Sequence, residues 1–130
     1  MKTSKPRTQI GLVQIAIIVL ALATAVIHLY LSSILFGMGQ SGLLFLLNGL
    51  GYLALLAGSF LPIPVIKGYR SILGILFMLY TLVTIIAWVF VGARNPIGFI
   101  DKAIEVLLIV FLWLDRNQAQ AARKVDLTVQ

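Results

Sequence analysis

The chain has 130 residues, of which 61% are hydrophobic and only 11% charged, with a mean hydropathy of +1.07. A soluble domain of that length could not hide so much apolar surface, so the composition excludes an ordinary globular domain and indicates a polytopic membrane protein. The formal net charge of +6 comes from Lys and Arg flanking apolar stretches rather than from a basic stripe interleaved with aromatics, so the expected partner is a bilayer and not nucleic acid.

Residues 1–9 carry Lys2, Lys5 and Arg7 and read as a basic cytoplasmic N-terminus. Ala21-Leu22-Ala23 and Ala23-Thr24-Ala25 imitate a signal-peptidase site. The apolar run nevertheless continues to about Leu35, well past a signal h-region, so an uncleaved first span is expected over residues 10–35. Gln14, Ala21, Thr24, Ala25, His28 and Ser32 recur at helical spacing on one side of it. Small and polar residues so arranged form the packing stripe of a membrane helix.

The connection 36–42 is short, uncharged and glycine-rich, which returns the second span, 43–61, antiparallel to the first. Ser41, Asn48, Tyr52, Leu55 and Ser59 share one face of it, while Gly51, Ala54 and Gly58 smooth its surface. Leu61-Pro62-Ile63-Pro64 ends it, because proline donates no hydrogen bond and restricts the residue before it. After a turn with Lys67 and Arg70, a third span is expected over 71–91. Tyr80, Thr84 and Trp88 form its polar and aromatic stripe, and Gly74 is expected to allow a close crossing. Asn95 is a natural N-cap and Pro96 suits the first helical position, so the fourth span starts there and runs over 96–115. A polar, mixed-charge tail, 116–130, extends from it into the cytoplasm.

The predicted fold is therefore all-α: a four-transmembrane-helix bundle over residues 10–115, up-down-up-down, with both termini in the cytoplasm. Eight basic residues (Lys2, Lys5, Arg7, Lys67, Arg70, Arg116, Arg123, Lys124) lie on one side of this arrangement and two (Arg94, Lys102) on the other. That asymmetry sets the orientation in a cytoplasmic membrane.

The fourth span is unusual. Asp101 and Glu105 are four apart and share one face, continued by Leu108 and Leu112. Lys102 projects about 100° from Asp101. Each central charge costs about 2.5–3.5 kcal/mol to insert, so these side chains should face protein rather than acyl chains. Two adjacent buried carboxylates repel, which calls for a shared proton or a nearby cation, with Lys102, Arg94 and His28 available. At about 1.5 Å per residue, His28, Asn48, Thr84, Asp101 and Glu105 all fall roughly 7–13 Å below the outer ends of their spans. Together with Tyr52, Trp88, Arg94 and Lys102 they are the candidate polar cluster, either a structural network pinning the fourth span or a site for a ligand, proton or ion.

His28, the only histidine, could give haem one axial ligand, and a bis-histidine site would need a second chain. A metal between His28, Asp101 and Glu105 is chemically sensible, but no close spacing motif marks one, so no metal is assigned and the cofactor stays open. No cysteine is present, which removes disulfides, thiolate metal sites and cysteine nucleophiles. With no phosphate-cradling glycine loop, serine-nucleophile motif or zinc-protease motif either, no catalytic activity is expected.

His28-Leu29-Tyr30-Leu31, Leu46-Leu47-Asn48-Gly49-Leu50-Gly51-Tyr52-Leu53 and Pro96-Ile97-Gly98-Phe99-Ile100-Asp101-Lys102-Ala103-Ile104-Glu105 resemble small four-span prokaryotic membrane proteins of unassigned function, over nearly the whole chain. DoxX-like proteins share the size and span count. Small multidrug-resistance transporters use a glutamate in their first helix, where this chain has no acid. The leading expectation is a small subunit or assembly partner of a cytoplasmic-membrane complex, or a homo-oligomer. The rivals are an ion- or proton-coupled transporter using Glu105 and Asp101, and a haem-, quinone- or pigment-binding redox subunit.

Overall fold

The computed structural model describes residues 10–130. The basic segment 1–9 lies outside the described residues. Five helices follow in order, α1 (Leu12–Gly37), α2 (Leu43–Phe60), α3 (Pro64–Lys67), α4 (Arg70–Val91) and α5 (Pro96–Val129), with no strand among the described residues. α1, α2 and α4 are each long and apolar enough to cross a membrane. α5 has ample length, 34 residues, but Asp101, Lys102 and Glu105 interrupt its apolar part. The expected tail is helical as far as Val129, so α5 continues well past residue 115. The four-residue α3 stands where only a turn is predicted.

The helix ends follow local chemistry. α1 is closed by Gly39 at φ +73°, a conformation glycine adopts without strain, while Gln40 N–H donates to Leu35 O at 2.8 Å. α2 stops as Leu61 turns extended before Pro62. α5 begins at the predicted cap, where Asn95 Oδ1 accepts from the Gly98 amide at 2.8 Å and Pro96 occupies the first turn.

Each long helix has two neighbours: α1 lies between α2 and α5, and α4 between α5 and α2. Neighbours run antiparallel. Gln14, early in α1, donates its amide to the Asp115 carboxylate late in α5, whereas Thr24, further along α1, reaches Asp101 near the start of α5. The apolar core comprises Ile17, Ala21, Ala25, Tyr52, Leu56, Phe77, Leu108 and Leu112. Large apolar side chains elsewhere point outward, among them Leu44 at 80% and Phe90 at 82% exposure. Charge inside and hydrocarbon outside invert the soluble pattern and suit a lipid surround.

The buried faces agree with the predicted stripes on α1 and α5 and depart from them on the other two. α1 buries Ala21, Thr24, Ala25, His28 and Ser32, with Ile17 added. α5 buries Asp101, Glu105, Leu108 and Leu112, with Lys102 added. α2 turns Gly49, Tyr52 and Leu56 inward, so Tyr52 is buried as expected while Asn48, Leu55 and Ser59 of the same stripe lie on the flank, half-buried. On α4 the deepest residues are Phe77 and Thr81, while the predicted Tyr80, Thr84 and Trp88 are half-buried. Nothing lies within 4 Å of a Cβ placed on Gly74, so the expected crossing is not there. Between α2 and α4 the tight contact is at Gly51, where an added Cβ would overlap the Tyr80 hydroxyl.

Candidate functional site

α1 and α5 meet through Thr24, His28, Asp101 and Glu105, which project toward each other because each pair is spaced by one helical turn. Thr24 Oγ1 donates to Asp101 Oδ1 at 2.7 Å and lies 3.4 Å from Glu105 Oε1. From α2, Tyr52 OH donates to Glu105 Oε1 at 2.8 Å. The Tyr52 oxygen is in turn 2.9 Å from Thr84 Oγ1 on α4. An ionised carboxylate only accepts, so Tyr52 gives its hydrogen to Glu105, and the Thr84 hydroxyl beside it is shared between the Tyr52 oxygen and the Thr81 carbonyl, 2.7 Å away. All four long helices thus supply a side chain to one connected network.

Lys102 completes it. Its Nζ is 2.6 Å from Glu105 Oε2 and 3.1 Å from Asp101 Oδ2. Helical spacing aims this side chain away from Asp101. The structure corrects that: the Cα–Cβ bond diverges, but four methylenes are long enough to bring the ammonium back between the two carboxylates, leaving Lys102 only 9% exposed. Glu105 is fully buried, at 0%. Among the described residues, no buried side-chain nitrogen or oxygen lacks a hydrogen-bond partner.

His28 sits at the edge of the ion pair and is 4% exposed. Its Nδ1 lies 2.8 Å from the Thr24 carbonyl oxygen. A carbonyl only accepts, so Nδ1 carries the hydrogen. Nε2 faces Asp101 Oδ2 at 3.7 Å, beyond hydrogen-bond distance. The ring packs against Phe45 and Tyr52, with centroids 6.0 and 5.8 Å away.

Of the predicted site residues, His28, Tyr52, Thr84, Asp101, Lys102 and Glu105 come together. Asn48 is one step removed: its Oδ1 accepts from Tyr80 OH at 2.7 Å, and the Tyr80 ring meets Tyr52 edge-on at 5.1 Å. Trp88 and Arg94 form a separate group. The guanidinium lies 4.4 Å over the indole and donates to Val89 O, while Phe99 packs edge-on at 5.0 Å. Arg94 therefore does not neutralise the carboxylates, since its side chain is drawn to the Trp88 face and an exposed helix end. Thr24 and Tyr80 are participants that the candidate cluster omits. Thr24 precedes His28 by one turn on the same face, a signal present in the sequence. Tyr80 owes its role to a helix–helix register that the sequence does not display.

Residues 1–114 match the model of a family described as of unknown function, DUF7475. The chain belongs to that family. No curated protein and no solved structure matches it. The DUF7475 match takes in every residue of the network, whereas Asp115 and the polar part of α5 lie beyond it.

Proposed function

We propose that the chain is a non-enzymatic integral protein of the cytoplasmic membrane that crosses the bilayer four times, with α5 as the fourth span and both termini in the cytoplasm. In this reading it serves as a small subunit or assembly partner, either as a homo-oligomer or within a larger membrane complex. The observation that carries the reading is that the buried charges are engaged with one another. Asp101, Glu105 and Lys102 close a network fed by Thr24, Tyr52 and Thr84. A solute carrier would turn such groups toward an open path. Here they tie α1, α2 and α4 to α5 and leave apolar faces outward for lipid or neighbouring subunits. The eight-to-two distribution of basic residues supports the orientation.

The absence of native cysteine makes a direct test simple. Gln40→Cys should react with a membrane-impermeant thiol reagent added to intact cells, and Thr128→Cys should react only after permeabilisation. Labelling of Thr128→Cys from outside would remove α5 as a span. The same tagged chain, extracted in mild detergent at native expression, should migrate as an oligomer or with a second membrane subunit. A lone monomer would overturn the assembly role.

A further inference from the structure

We infer that His28, Asp101 and Glu105 form a binding site for a divalent transition-metal ion, zinc or manganese in class, for which the Lys102 ammonium is the internal stand-in. One ligand atom from each of the three residues can be chosen so that all lie within 4.8 Å of one another. All three residues are buried, and they come from two helices.

The hydrogen bonds around them are those of a ligand set held from behind. With Nδ1–H donating to the Thr24 carbonyl at 2.8 Å, Nε2 is the ring atom left to face the carboxylates, 3.7 Å from Asp101 Oδ2. Metal-binding histidines commonly donate their other ring N–H to a backbone carbonyl in this way. The carboxylates are held similarly. Asp101 Oδ1 accepts from Thr24 and Glu105 Oε1 from Tyr52, which leaves Oδ2 and Oε2 as the inner atoms. Between those two atoms sits a positive charge, Lys102 Nζ, at 3.1 and 2.6 Å.

Imidazole with two carboxylates suits zinc, iron or manganese rather than the softer ions that thiolates select. Zinc–ligand distances of about 2.0–2.2 Å require the three groups to draw together and the ammonium to withdraw. Lys102 is the least deeply buried member of the cluster, at 9% exposure, and its flexible stem provides that movement. The bound ion would staple α1 to α5, so the site deepens the structural reading without depending on the oligomeric state.

The test uses the full chain in mild detergent, stripped with chelator and titrated with zinc chloride. Because His28 is the only histidine, ¹⁵N-histidine labelling gives imidazole signals from a single ring. The zinc-free protein should show Nδ1 protonated and gives the reference position of the Nε2 signal. Zinc should move the Nε2 signal, leave Nδ1 protonated, and saturate at one ion per chain by elemental analysis after desalting. His28→Gln, with wild-type helical circular dichroism, should bind more weakly by over tenfold, since even outer partners of metal ligands are worth about 10–100-fold. Lys102→Met should gain more thermal stability from zinc than wild type does. An imidazole protonated at both nitrogens and unmoved by excess zinc overturns the assignment. So does one-to-one binding that persists undiminished in His28→Gln, and manganese replacing zinc in the same titration must give the same dependence on His28.

Discussion

Replacing Lys102 by methionine keeps the stem's volume and removes only the cation. In wild type, Nζ lies 2.6 Å from one carboxylate oxygen and 3.1 Å from another. At an effective dielectric constant of about 20, each such contact is worth roughly 5–6 kcal/mol of Coulomb attraction. Against this stands the desolvation of the ammonium, itself several kcal/mol. The net loss on removing one partner of a buried pair is about 3–5 kcal/mol, because two carboxylates then face each other uncompensated. A domain of ordinary stability, about 5–15 kcal/mol, would lose much of it. Adding Glu105→Gln removes one of the stranded charges while retaining an oxygen for Tyr52, so the double variant should recover at least about 2 kcal/mol relative to Lys102→Met alone. Reversible unfolding in mixed micelles, in chelated buffer and followed by fluorescence of the two tryptophans and by circular dichroism, measures both. A single variant within about 0.5 kcal/mol of wild type, or strictly additive effects, would refute the view that the ammonium neutralises both acids.

Tyr52→Phe deletes the hydroxyl that donates to Glu105 and leaves the ring packing intact. It should cost about 1.5–3 kcal/mol, the range for a hydrogen bond to a charged group, and a cost below about 0.5 kcal/mol in the same micelle assay would remove Tyr52 from the network. Two of the helix glycines, Gly51 and Gly74, should respond oppositely to alanine. Gly51→Ala drives a methyl into the Tyr80 hydroxyl and should destabilise by about 1–3 kcal/mol, loosening the Tyr80–Asn48 bond. Gly74→Ala, with open space around it, should be neutral or gain up to about 1 kcal/mol of helix propensity. Equal effects at both sites would show that the α2–α4 approach is not where Gly51 puts it.

The class of the protein, its long helices and much of its polar cluster are properties of the chain itself. Apolar runs of bilayer length can hide only in lipid, Pro62 and the Asn95–Pro96 pair set helix ends through local backbone chemistry, and the Asp101–Glu105–Leu108–Leu112 stripe follows from 3.6 residues per turn. Only the tertiary structure decided how these helices rotate about their axes. Periodicity says which side chains share a face but not which face meets which neighbour, and so the inward face of α2 keeps Tyr52 from the expected stripe but adds Gly49 and Leu56 in place of Asn48 and Ser59. The same holds for side chains with reach. Lys102 folds back onto the acids and Arg94 folds away onto Trp88, because a long flexible cation goes to the strongest partner that packing brings within its length, and packing is a relation between segments far apart in sequence.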